Sequence, residues 1–477
     1  LITHDLGLVA ENADSIAVMY AGRIMEEAPA KEIFERPTHP YTAGLIASLP
    51  QLDHRVEELY SIPGFVPDLS NRPSGCVFHP RCAIGGKRPP CLEKRPELAP
   101  AGEGRRVACH FHEETAAWRD EQMRKMAAPE NTAVAHDGPR KNALLIAENL
   151  EKTFDVRGGL WSKQKLHALK DVSFELQAGT TLGVVGESGC GKSMTALATM
   201  GLLPDRFSVA SGSIQLAGEE MTTIKPARLR QLRGNMISMI FQEPMTSLNP
   251  LLTVERQIAE VVELHQNKSK AEAREIALEM LRAVQIPSPE ARLAAYPHEL
   301  SGGMRQRVMI AIALACRPKV IIADEPTTAL DVTVQAQIFR LLRDLQMDTE
   351  TAIMLITHDL GAVAEMADEV AVFYAGKSIE SGPVGDIVDR PAHPYTRGLM
   401  SCTPRLKLGA AARLPDAGSL GEIPGMVPPL GRFPKACRFA PRCALADDRC
   451  RSEDPPRLPV GPAQTALCWY AKEEALA

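Results

Sequence analysis

The sequence predicts an α/β fold carrying its chemistry at the ends of strands, and three observations predict it. An apolar run, Leu182-Gly183-Val184-Val185, feeds a glycine-rich segment and then a helix-like stretch, Met194–Thr199. A second apolar run, Val320-Ile321-Ile322-Ala323, ends in two adjacent acids. A long stretch of the chain also occurs twice in the same order.

The first element reads Gly186-Glu187-Ser188-Gly189-Cys190-Gly191-Lys192-Ser193, a G-x-x-x-x-G-K-S segment in a strand–loop–helix setting. Its glycines let the backbone curl until successive N–H groups converge on phosphate oxygens. The positive end of the following helix adds to that field. Lys192 is expected to reach the β- and γ-phosphates of a nucleotide, and the Ser193 hydroxyl to ligate magnesium. Cys190 fills a tolerant position and reads as a small filler.

In the second element Asp324 suits the magnesium-side acid, and Glu325 suits a general base that polarises an attacking water. Paired acids at a strand end are often only a solvated turn. The phosphate loop upstream favours the catalytic reading.

The third element is the repeat. Leu1-Ile2-Thr3-His4-Asp5-Leu6-Gly7 returns as Leu355–Gly361, Ala17–Pro29 as Ala371–Pro383, and His39–Ile46 as His393–Met400, always 354 positions apart. Ile62–Leu69 then matches Ile423–Leu430 after a seven-residue slip. The chain reads as the end of one module (1–50), its tail (51–112), a linker (113–142), a complete second module (143–400) and a second tail (401–477). Leu1 lies inside a motif, so the expectation is a fragment lacking the N-terminal part of its first module. The twice-occurring His-Pro-Tyr-Thr reads as a structural turn joining module and tail.

At 477 residues the chain has room for two or three cores. A net charge of −5 offers no basic field for nucleic acid. The longest apolar run, Val308–Cys316, is nine residues and too short to span a bilayer. A membrane role would therefore run through partner subunits. Of eleven cysteines, eight form two quartets. Cys76, Cys82, Cys91 and Cys109 follow C-x5-C-x8-C-x17-C, and Cys437, Cys443, Cys450 and Cys468 follow C-x5-C-x6-C-x17-C. Four soft thiolates can hold zinc or an iron–sulfur cluster, and a small tail gains folding energy from such a staple.

Between loop and acids, Leu300-Ser301-Gly302-Gly303-Met304-Arg305-Gln306 resembles the signature motif of ATP-binding-cassette ATPases. That resemblance implies a phosphate-loop NTPase cassette with a mixed sheet core, an antiparallel β subdomain and a helical signature subdomain, followed by small irregular cysteine-containing tails. It also implies roles. Phe154 resembles the aromatic that stacks on adenine, and Gln242 the glutamine that senses magnesium and the attacking water. Asp331 in Ala329-Leu330-Asp331 resembles the D-loop acid, and His358 the switch histidine. Ser301, Gly302 and Gly303 would embrace ATP held by an opposing cassette, and His4 and Asp331 would serve that same opposing site.

Phe241–Pro250, Asp324–Ile338, His-Pro-Tyr-Thr and the cysteine tails resemble the dipeptide, oligopeptide, nickel and glutathione importer branch, in its fused double-cassette form. Some members of that branch carry a C-terminal iron–sulfur cluster on such a quartet, which puts a cluster ahead of zinc. The implied partners are two integral-membrane permease subunits, a second ATPase cassette and, indirectly, an external substrate-binding protein. Nucleic acid is not expected. The implied location is the cytoplasmic face of the bacterial inner membrane. Val254–Met280, helical in pattern, would correspond to the region that docks the permeases. The alternative class is a soluble double-cassette ATPase acting on DNA or ribosomes. A chain holding one complete cassette is expected to bind Mg-ATP but to hydrolyse it poorly alone.

Overall fold

The computed structural model describes residues 1–3, 6–49, 60–64, 66–67, 72–102, 104–126, 143–157, 163–203, 211–328, 330–403 and 421–471. The chain divides into two compact units. The smaller is Leu1–Ala135 with Leu330–Arg340 and Thr403–Gly421, and the larger is His136–Ala329 with Leu341–Cys402 and Glu422–Ala477.

The larger unit is built on an eight-stranded mixed sheet. Its strands are β1 (Thr181–Val185), β2 (Ile237–Ile240), β3 (Val320–Asp324), β4 (Ala352–Ile356), β5 (Glu369–Tyr374), β6 (Lys377–Pro383), β7 (Arg457–Pro459) and β8 (Thr465–Leu467). They lie in the order β2-β3-β4-β1-β5-β6-β8-β7. The five from β2 to β5 run parallel, and the remaining pairs are antiparallel. Every residue of β1, β3 and β4 is buried. Such uninterrupted apolar runs belong to parallel strands covered on both faces.

A second, antiparallel sheet joins Ala143–Arg157, Lys163–Gln177, Ser211–Leu216 and Glu219–Glu220. Its inward residues, among them Leu150, Val172 and Ile214, share one core with Val184, Ile322 and Ile356. The helical region follows. The stretch read as helical over 254–280 forms two helices, Val254–Gln266 and Lys270–Ala283. Asn267 ends the first at φ 52°, a left-handed conformation that asparagine tolerates. Ser269 then opens the second with a reciprocal capping box to Glu272.

The tail of the larger unit departs from the expectation of an irregular segment, because β7 and β8 extend the eight-stranded sheet through β6. At three residues each, these strands are too short for alternation to register in the sequence. Within residues 113–142, read as linker, lies a helix, Thr115–Met126. Its Thr115 hydroxyl donates to the Thr38 carbonyl at 2.9 Å, and Trp118 packs edge-on against Tyr60. Residues 127–142 lie outside the described ones.

The repeat is structural as well as sequential. Strands Ser15–Tyr20 and Arg23–Pro29 pair in the smaller unit as β5 and β6 do in the larger, including a register shift at the same point. Each His-Pro-Tyr-Thr opens a helix, Pro40–Ala47 or Pro394–Ser401, with proline in its first turn. His39 and His393 cap them, each Nδ1 accepting the N–H two residues on at 3.0 Å. Burial holds both imidazoles down to about 3, so each stays a neutral acceptor. Two buried carboxylates fix the approach. Glu26 accepts from the Thr38 and His39 N–H groups, and Glu380 from those of Ala392 and His393.

Candidate active site

Loop Gly186–Gly191 leaves the end of β1 and enters helix Lys192–Thr199. Two of its glycines are obligatory for stated reasons. At Gly186, φ is 148° and a Cβ would sit 2.3 Å from the Phe373 carbonyl oxygen. At Gly191, φ is 108° and a Cβ would stand 3.2 Å from Gly376 Cα. Cys190 is wholly buried beneath the loop, as a filler should be. The Lys192 side chain folds along the loop, its Nζ donating to the Gly186 carbonyl at 2.6 Å and the Glu187 carbonyl at 3.2 Å. Ser188 and Gly189 face solvent.

Asp324 ends β3, the strand two places from β1 in the sheet, and is 3% exposed. Burial raises its carboxyl above the usual range and the Glu325 charge adds to that. A hydrogen bond from Ser193 and the nearby Lys192 ammonium pull the other way. Its Oδ1 is buried without a hydrogen-bond partner. A buried carboxylate oxygen with nothing to neutralise it costs free energy unless a cation meets it. Asp324 and Ser193 together are the oxygen donors that magnesium takes, so the residues fit that ion.

Glu325 follows at φ 49°, a left-handed conformation for a residue with a Cβ. Its N–H donates to the Ile356 carbonyl at 2.8 Å, which pins the turn to β4. Its carboxylate gathers three side chains. Gln242 Nε2 donates to Oε2 at 3.2 Å, the Thr328 hydroxyl donates to the same oxygen at 2.9 Å, and His358 Nδ1 lies 3.4 Å from Oε1. Side chains from three places in the sequence, 242, 325–328 and 358, thus meet beside the phosphate loop. Thr328 had no role in the sequence reading. The Asp-Glu-Pro-Thr-Thr run contained it, but nothing there told a partner from a spacer.

The other expected residues sit elsewhere. Phe154 lies on the antiparallel sheet with the Lys152 ammonium 4.7 Å from its ring centre. Ser301 caps helix Gly302–Leu314, accepting from Met304 N–H. Among the described residues no hydrogen bond joins Ser301, Gly302 or Gly303 to the phosphate loop. Asp331 caps helix Val332–Thr349, its Oδ1 accepting from Thr333 and Val334 N–H groups. His4 lies outside the described residues.

All eleven cysteines are free thiols. In each tail the four of a quartet line one cavity, Cys76, Cys82, Cys91 and Cys109 in the first and Cys437, Cys443, Cys450 and Cys468 in the second. Burial pushes Cys109 up to about 12 and Cys468 up to about 11, and the three other cysteines of each quartet add to the rise. Among the described residues no group of three His, Cys, Asp or Glu side chains is gathered so as to hold a metal ion. The zinc or cluster expected here therefore finds converging thiols but no formed ligand set.

Comparison with known proteins places these features in company. A family model described as "ABC transporter" matches residues 169–328. A second, "Oligopeptide/dipeptide transporter, C-terminal region", matches twice, at 25–91 and 379–450. The chain is 49% identical over 336 residues to the probable peptide ABC transporter ATP-binding protein y4tR of Sinorhizobium fredii, covering 70% of this chain and 97% of that protein. It is 49% identical over 335 residues to the oligopeptide transport ATP-binding protein OppD of Salmonella typhimurium, covering 70% and 96%. It is 47% identical over 351 residues to OppD of Escherichia coli, covering 74% and 100%.

Proposed function

We propose a function from the premise that this chain belongs to the ABC transporter ATPases, in the branch bearing the oligopeptide/dipeptide C-terminal region. It binds ATP, hydrolyses it, and so energises the import of peptides. The observation that carries this reading is the junction at Glu325, where Gln242, Thr328 and His358 converge beside Asp324, Ser193 and Lys192.

The residues divide the work. Loop N–H groups and the Lys192 ammonium draw the phosphates in. Asp324, Ser193 and Gln242 would hold magnesium, which supplies charge neutralisation at the phosphates when bound. Glu325 orients a water and accepts its proton as the oxygen attacks the terminal phosphorus. Gln242 and His358 fix the direction of that carboxylate, and His358, largely exposed, remains free to touch the γ-phosphate. Phe154 would stack on adenine. Ser301, Gly302, Gly303 and Asp331 would complete an opposing cassette's site.

Several finer points are proposals on the same footing. The twofold family match and the paired architecture of strands, capping histidines and carboxylates support a fused double-cassette protein. Among the described residues no helix is long and apolar enough to cross a membrane, and the relatives named above are ATP-binding proteins of peptide transport. Those names support two membrane permease subunits, an external binding protein and a place on the cytoplasmic face of the inner membrane. They also favour peptide transport over work on DNA or ribosomes. Tagged chain isolated from gently solubilised membranes should bring down two integral-membrane subunits. Recovery with ribosomes or DNA-repair proteins in their place would reverse the choice.

Each cysteine quartet would hold an iron–sulfur cluster. Support comes from the four thiols of each quartet lining one cavity and from the soft-thiolate ligation that such clusters take. Anaerobically purified protein should be brown and contain iron and acid-labile sulfide. A colourless folded protein free of iron and zinc would end this proposal.

A further inference from the structure

The second residue of the phosphate loop is gripped by the tail. Arg442 is almost wholly buried and every nitrogen of its guanidinium is engaged. Nε donates to the Pro424 carbonyl at 2.8 Å, and Nη2 to the carbonyls of Ile423 and Gly425, both at 3.2 Å. Nη1 and Nη2 also meet the two Glu187 carboxylate oxygens at 2.7 and 3.1 Å, a bidentate pair. Tyr395, from the His-Pro-Tyr-Thr helix, accepts the Glu187 N–H on its hydroxyl at 2.9 Å. The Glu187 carbonyl in turn accepts from Lys192 Nζ at 3.2 Å and from Cys190 N–H at 3.2 Å. One loop residue thus connects the tail to the phosphate-binding lysine.

We propose that Arg442 and Tyr395 are positioning residues for ATP binding, which act through Glu187 to hold the phosphate loop in its receptive shape. The proposal rests on the reading of that loop as the ATP site. A loop with glycines at positive φ at 186, 189 and 191 has much conformational freedom to lose when phosphate arrives. Anchoring its entry beforehand lowers the ordering cost of binding. The claw forms within a tail by itself. In the smaller unit Arg81 makes the same bonds to the Ile62 and Pro63 carbonyls, at 3.2 and 2.9 Å. In the larger unit the carboxylate of Glu187 completes it. Both arginines immediately precede a quartet cysteine, Cys82 or Cys443. The cysteine-bearing frame of the larger unit therefore sets where its arginine stands.

Titration of the whole chain with a magnesium-bound fluorescent ATP analogue tests this. Arg442→Ala and Glu187→Gln should each weaken binding about tenfold, within the usual range of coupling between sites. The double variant should be no weaker than either single one, and Arg442→Lys should recover part of the loss. Unchanged affinity in both single variants, whatever happens to the melting temperature, would reduce the pair to a structural tether and overturn the proposal. Losses that multiply in the double variant would overturn it equally. Should Arg442→Ala not fold, Arg442→Lys and Tyr395→Phe decide, since each should weaken binding severalfold and wild-type affinity in both counts against. Lys192→Ala keeps the failures apart. A wild-type chain that binds, with Lys192→Ala weakened and the tail variants unaffected, removes only the positioning role, whereas a wild-type chain that does not bind removes both.

Discussion

Glu325→Gln should lower ATP hydrolysis by about a hundredfold to ten-thousandfold, the range a positioned general base contributes, while leaving Mg-ATP bound. The substitution is nearly isosteric. The contacts at 3.2 Å to Gln242 and 2.9 Å to Thr328 both end on Oε2, which an amide oxygen can replace. What disappears is the capacity to take a proton from water. The right assay is phosphate release by the transporter reconstituted with its membrane subunits, run beside nucleotide binding. Hydrolysis retained within a few-fold of wild type would remove Glu325 as the base and leave His358, 3.4 Å away, as the group to examine.

Lys192→Ala should act at the earlier step. The Lys192 ammonium is nearly buried and already directed along the loop carbonyls of Gly186 and Glu187. Removing a charged hydrogen bond costs about 1.5–3 kcal/mol, which corresponds to a loss of Mg-ATP affinity of about tenfold to a hundredfold. Hydrolysis falls with it. The two variants therefore separate: one binds and does not cut, the other scarcely binds. Equilibrium titration and single-turnover cleavage on the same preparations distinguish them. Wild-type affinity in Lys192→Ala would show that phosphate is held elsewhere.

Much of this site was legible before the fold because each part is local. Gly186–Ser193 needs only a strand before it and a helix after it, and β1 and helix Lys192–Thr199 supply both. Asp324 and Glu325 close an apolar run that becomes β3. The repeat was legible because a whole heptapeptide, Leu1–Gly7, recurs at 355–361 and longer near-matches follow at the same offset. What escaped was non-local. Arg442 and Glu187 stand 255 residues apart, and no spacing rule pairs a tail arginine with a variable position of the loop. Glu380 looks like any acid on a strand until its partners Ala392 and His393 are seen across a turn. Helix Thr115–Met126 was hidden by polarity, since its hold on the smaller unit comes from Thr115, Trp118 and the polar Arg119, which donates to the Glu35 carbonyl.

The left-handed backbone at Glu325 sets a tension between durability and work. A residue with a Cβ held there costs about 1 kcal/mol or more, and glycine would relieve it. Glu325→Gly should therefore raise the melting temperature while, on the proposed function, abolishing hydrolysis. The same twist that costs the fold stability turns the Glu325 carboxylate toward Gln242, Thr328 and His358, where the proposed function needs its acid.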